Sequence, residues 1–254
     1  MMSNNNDSII SLVENSSSIQ LENEFSKTQL DILYAAEIIM GQKGIENTSH
    51  RDIINLAGQK NTSAILYHFG SINGVVDALF ELRMKVLNQE RSEFIENLLN
   101  QEDYSNIDLM DAYIDPLYNR VFHDSDWSNW IYFLQNLIIN TNGKANFADK
   151  YRKAAFEIEN LFAKKNHIAN DKMYNARVSY NAFFVISAIA SRKRQIEEYE
   201  NEFKQNSKKF NSLLNIPTDD ESYISSDVEF LKFLKTTSIC LLYTSDAADE
   251  LRSV

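Results

Sequence analysis

The sequence predicts an all-α protein, an N-terminal unit of three helices followed by a larger helical domain. Three observations carry the prediction. Only six Gly and two Pro occur in 254 residues, so breakers are few. Apolar residues recur at three-to-four spacing along most of the chain, and no stretch alternates apolar with polar as a half-buried strand does. A hydrophobic fraction of 44% beside 24% charged residues is enough to bury a core in one small and one larger unit.

The elements follow in order. Residues 1–25, rich in Asn and Ser, read as a disordered tail. A first helix spans Ser26 to Gln42, with Leu30, Ile32, Leu33, Ala36, Ile39 and Met40 as a wide apolar face and Gly44 as its stop. Thr48 or Ser49 caps a second helix, Asp52 completes a capping box, and Ile53, Ile54 and Ala57 face inward. Gly58 suits the left-handed turn that ends it. Asn61 or Thr62 then caps a third helix. Ala64, Ile65 and Phe69 share one face of it, leaving Thr62, Ser63, Leu66 and Tyr67 outward. A long helix starts near Ser71 and runs through Val76, Leu79, Phe80, Leu87, Phe94 and Leu98, closing the small unit (26–72) and opening the large one (73–239). Helical segments follow at 108–123, 126–140, 146–165 and 170–204, then a polar loop around Ile216 to Glu221 and a last helix from about Asp227.

The stretch from Thr48 to Phe69 is two short helices pinched around a glycine, the second carrying polar groups where a buried helix would not. That pattern is a DNA-reading helix-turn-helix. The net charge of −11 argues against nucleic acid until its distribution is followed. Residues 1–26 hold four acids and no Lys or Arg, whereas in 27–75 Lys27, Lys43, Arg51 and Lys60 balance Asp31, Glu37, Glu46 and Asp52. The helix-turn-helix block is therefore neutral, and the excess acid lies elsewhere.

Other chemistries find no support. His50, His68, His123 and His167 lack metal-ligand spacing, no phosphate-binding glycine loop or nucleophile elbow occurs, and neither enzyme activity nor a cofactor is expected. The start MMSNNNDSII has no basic segment, and the longest apolar run, Ala182 to Ala190, is too short to span a bilayer. A cytoplasmic protein without membrane attachment is the expectation, so the sequons at Asn47 and Asn61 carry little meaning.

ILYAAEIIMGQKGIENTSHRDII followed by AGQKNTSAILYHFGS resembles the N-terminal domain of tetracycline-repressor (TetR) family regulators. The resemblance covers about Thr28 to Arg91. Ile32, Leu33, Ala35 and Ala36 fit the family's first helix, Gly44, Thr48 and Ser49 its turn and cap, Ile53, Ala57 and Gly58 its second helix, and Tyr67, His68 and Phe69 its signature ending. Arg83 and Arg91 are similar to the connecting helix of one branch. Two departures stand out: one more residue between Gly58 and the Tyr-His-Phe ending, and Ile72 where most members carry a phosphate-clamping lysine.

The resemblance implies a homodimeric, ligand-responsive regulator, usually a repressor, on a near-palindromic double-stranded DNA operator. It places Thr48, Ser49, His50, Arg51, Lys60, Asn61, Thr62, Ser63, Leu66, Tyr67 and His68 at the DNA, with Arg51 the firmest base reader and Tyr67 and His68 on phosphates. It also implies an effector held between helices of the larger domain. Phe122, Trp127, Trp130, Phe133, Tyr180 and Phe183 are the candidates to line that site for an apolar or aromatic molecule. Dimerisation is expected through the last two long helices. The competing expectation, favoured by the net acidity and Ile72, is an all-helical sensor or interaction protein without DNA binding. Finally, CLLYTSDAADE from Cys240 to Glu250 resembles the translation of a sequencing-library adapter, so 240–254 is expected to be a non-native tail and Cys240 foreign.

Overall fold

The computed structural model describes residues 24–140, 151–210 and 226–243, and no strand occurs among them. Helices α1 (Lys27–Lys43), α2 (His50–Leu56) and α3 (Ala64–Phe69) precede α4 (Ile72–Leu99). After it come α5 (Asn106–His123), a 3-10 turn at Ser125–Trp127, α6 (Trp130–Asn140), α7 (Lys153–Lys165), α8 (Tyr174–Phe210) and α9 (Asp227–Leu242). The tail before residue 24, positions 146–150 of the segment expected at 146–165, the loop around 216–221 and the stretch after 243 lie outside the described residues. The boundary expected at 239 falls inside α9, whose Leu242 is buried.

Local chemistry explains most helix starts. Ser26, Ser49, Ser105 and Ser226 each accept from the backbone three residues on, while Gln29, Asp52, Asp108 and Glu229 reach back to the cap N–H. These reciprocal boxes satisfy donors that the first turn leaves orphaned. Several boundaries depart from expectation. α6 begins at Trp130 rather than 126, because Asp124 caps a separate 3-10 turn through the Asp126 N–H. α8 begins at Tyr174 rather than 170, since Asp171 turns the chain by accepting from Met173 and Tyr174, and it continues past 204 to Phe210.

The small N-terminal helices are fixed to the rest through α1. Gly41 lets α1 meet α6 closely: a Cβ there would lie 3.3 Å from Asn129 O and Phe133 N. Asn136 on α6 donates its side-chain amide to Met40 O (2.9 Å) and Gly41 O (2.7 Å), satisfying carbonyls at the open end of α1. On the other side, Arg83 of α4 donates Nε to Glu37 of α1 at 2.8 Å and Nη2 to Asp126 O, with both charged groups buried. The Arg83 guanidinium lies over the rings of Trp127 (4.6 Å) and Tyr34 (5.2 Å). Burial pushes the Glu37 carboxyl above the usual range although Arg83 pulls it down.

The corner between α3 and α4 depends on a second glycine. Gly70 turns through the left-handed region (φ 74°), Ser71 caps α4, and Gly74 brings its Cα against the Phe69 carbonyl, where any Cβ would overlap that oxygen. Behind it, α4 buries Val75, Val76, Leu79 and Phe80, then Arg83, Leu87 and Arg91, against α5 and α7. α8 and α9 run alongside one another, joined by Arg192 to Asp227 (3.0 Å) and by the rings of Phe184 and Phe233. Lys235 ties α9 to α5 through Asp111 and Asp115.

Glu37→Leu strands the Arg83 charge in the core and is expected to cost about 3–5 kcal/mol, most of it recovered by adding Arg83→Met; urea denaturation of both variants checks this. Gly74→Ala is expected to cost about 1–3 kcal/mol by the same assay, because the helix corner must open to admit the methyl.

Candidate nucleic-acid interface

α2 and α3 form an angled pair around Gly58, which sits at φ 64° and closes α2 as the sequence requires. Ile53, Ile54, Ala64 and Ile65 anchor the pair to the core, so the short helices are held by burial rather than by their own length. The remaining face of α3 is bare. Leu66 is 54% exposed and Tyr67 83%, beside exposed Lys60, Asn61, Thr62 and Ser63. The Tyr67 ring meets His68 edge-on at 4.8 Å, which fixes the direction of both. Arg51 on α2 is exposed on the same small unit.

The turn before α3 uses neither expected cap in the usual way. Ser63 is the N-cap and makes no side-chain bond, while Asn61 Oδ1 accepts from the Ser63 N–H (2.9 Å) and organises the turn ahead of the helix. Ile72, at the first position of α4, is partly buried against the core.

One of the predicted contacts is placed differently from expectation. Thr48 is buried, its hydroxyl donating to Gly44 O at 2.7 Å, which takes it off the surface and makes it a clasp on the α1–α2 turn. Ser49 is the α2 cap, and its N–H is occupied by Asp52 Oδ2 at 3.0 Å. Lys43 approaches the same carboxylate at 2.7 Å. Hydrogen bonds from Lys43, then from Ser49, hold the Asp52 carboxyl below the usual carboxylate range. A depressed carboxylate stabilises above its unfolded-state pKa, and that contribution disappears as the pH falls below it. His50 follows at the first position of α2, partly exposed.

No protein-family model matches this chain, and no curated protein matches it either. The site is therefore read from its own geometry.

The six aromatic residues expected around an effector do not converge. Trp127, Trp130 and Phe133 are buried with Phe80: Trp130 stacks on Phe133 at 5.2 Å and meets Phe80 edge-on at 5.2 Å. Phe122 lies elsewhere, against Tyr118 at 4.5 Å, with Lys193 over its ring at 5.6 Å. Tyr180 (69% exposed) and Phe183 point outward. Their placement follows from helical period, since α8 buries Val178, Asn181, Val185 and Ile189 and thereby turns 180 and 183 to the opposite side. Among the described residues no group of three His, Cys, Asp or Glu is arranged to hold a metal ion.

Sequence reasoning noted Arg83 and Arg91 without finding their partners. Glu37 and Arg83 lie 46 positions apart, and only an acid on the buried face of the first helix hinted that a cation had to meet it. Ser49→Ala is expected to cost about 1 kcal/mol of stability by removing the α2 cap, whereas Tyr67→Ala stays within about 0.5 kcal/mol; chemical denaturation at neutral pH compares them.

Proposed function

We propose that this chain is a DNA-binding transcriptional regulator that uses the outer face of α3 as its reading surface. The observation that carries the reading is that face itself: a six-residue helix, held from behind by Ala64 and Ile65, with Leu66 and Tyr67 left unburied and exposed Lys60, Asn61, Thr62 and Ser63 in the turn that leads into it. Leaving two large apolar groups in water forgoes roughly 1.5–3 kcal/mol each, a cost a macromolecular partner can recover. The major groove admits an α-helix and offers thymine methyls to a leucine and base edges to Asn, Thr, Ser and Lys. Arg51 and Lys60 supply exposed positive charge in a block that is neutral overall.

The sequence resemblance to TetR-family regulators supports the same reading and adds a dimer, a ligand and a near-palindromic operator with half-sites about 34–36 Å apart. Tyr180 and Phe183 on α8, and Val228 and Phe233 on α9, are exposed apolar groups on the two helices through which the dimer is proposed. An effector that prefers one tilt of α4 would move α3 out of register and release the operator.

A gel shift on DNA flanking the gene, repeated across salt concentrations, tests the proposal. The full chain is expected to bind with a steep salt dependence, Arg51→Ala to lose about 1–3 kcal/mol of affinity, and Tyr67→Ala to weaken binding without unfolding the protein. Tyr180→Glu with Phe183→Glu is expected to give a monomer on sedimentation and to abolish the shift. A well-folded dimer that gives no shift at low salt favours the sensor or interaction reading instead.

A further inference from the structure

Arg91, on α4, is 6% exposed, yet no carboxylate pairs with it among the described residues. Its guanidinium spends Nε (3.2 Å) and Nη2 (2.9 Å) on one backbone acceptor, Tyr113 O of α5, and stands 5.3 Å from the Tyr113 ring centroid. The two acids whose charge reaches it are both engaged: Glu159 of α7 by Arg152, and Glu90 by Arg120. Tyr113 also donates its hydroxyl to Glu159 (3.4 Å), and Tyr174 of α8 donates to Glu159 O (2.7 Å). Two guanidiniums and one carboxylate therefore meet where α4, α5 and α7 join.

A buried cation that shares its nearest acids with other arginines is expensive. A structural duty accounts for only part of the arrangement. Pro116 has no N–H, so α5 lacks the donor that would meet the Ala112 carbonyl, and Arg91 bonds the next carbonyl along, Tyr113 O. A neutral donor would meet that need, whereas a permanent charge exceeds it. Burial also lowers the Arg91 guanidinium from its ordinary value.

We propose that Arg91 receives the anionic group of the effector, so that the ligand is a small organic anion, a carboxylate with an apolar or aromatic body, seated among α4, α5 and α7. The assignment rests on the effector-responsive reading above and gives its ligand a charge, which the aromatic residues alone do not. Arg91 keeps Nη1 outside its bonds to Tyr113 O, a charged donor that suits a carboxylate oxygen, and Arg152 lies on the other side of Glu159.

Thermal unfolding of the full chain in low-salt, chloride-free buffer tests it, with sodium benzoate as probe and benzamide as its neutral counterpart. Benzoate is expected to raise the Tm of the wild type by about 2 °C or more while benzamide does not. Arg91→Met is expected to melt no lower than wild type, having lost an uncompensated charge, and to ignore benzoate; Arg91→Lys keeps a reduced response. The proposal is overturned if benzoate and benzamide act alike, if the wild type does not respond, if Arg91→Met still responds, or if Arg91→Met melts well below the wild type, which marks the guanidinium as a structural donor to α5. The gel shift is scored separately. Selective benzoate binding without a DNA shift sinks the regulator and leaves the anion site standing, and a DNA shift without selective benzoate binding does the reverse.

Discussion

The ion pair between Glu37 and Arg83 is the constraint on which the other placements depend. Both groups are buried, and the arginine is held on three sides at once: by the carboxylate of α1, by the Asp126 carbonyl in the 3-10 turn, and by the rings of Trp127 and Tyr34. Such a pair returns little net stability relative to an apolar core, because two desolvations offset the attraction. What it does supply is register. An apolar face can slide by a turn with modest loss, whereas a guanidinium fork must find its carboxylate and its carbonyl together.

Around that fixed point the chain divides its labour between caps and contacts. Four serine-led capping boxes set where helices begin, and each acts within three residues of sequence. The joints between helices are made by polar side chains reaching across: Asn136 to the end of α1, Asn88 to Tyr151 O and the Ala154 N–H ahead of α7, and Lys235 to two acids of α5. Each closes an open backbone end or a charge pair, so the packing of the apolar faces is specified as well as driven.

Much of this was legible in the sequence because it is local. Ser49 with Asp52, Gly58 at the close of α2 and Gly44 after α1 all act on their near neighbours, and those boundaries agree to within one residue. What escaped is non-local or depends on phase. Thr48 was equally good as a cap and as an inward clasp, and only the position of the Gly44 carbonyl decides between them. Tyr180 and Phe183 are expected to line an internal effector site, but a long amphipathic helix buries one stripe only, and the stripe through Val178 and Val185 excludes them. The partners of Arg83 and Arg91 required the fold itself.

The meeting of Gly74 with the Phe69 carbonyl has a mechanical meaning. Side chains at a helix junction act as cushions, since a rotamer change absorbs small rotations. Here main chain bears directly on main chain, and there is nothing to compress. α4 has 28 residues and so is about 42 Å long at 1.5 Å per residue. Pivoted at its middle, it would carry α3 through about 3–4 Å for every 10° of rotation, with almost no slack at the joint. Such gearing also restricts the chain's future: any side chain at position 74 changes the angle at which α3 is held, so this corner can drift in sequence far less freely than the exposed face it aims.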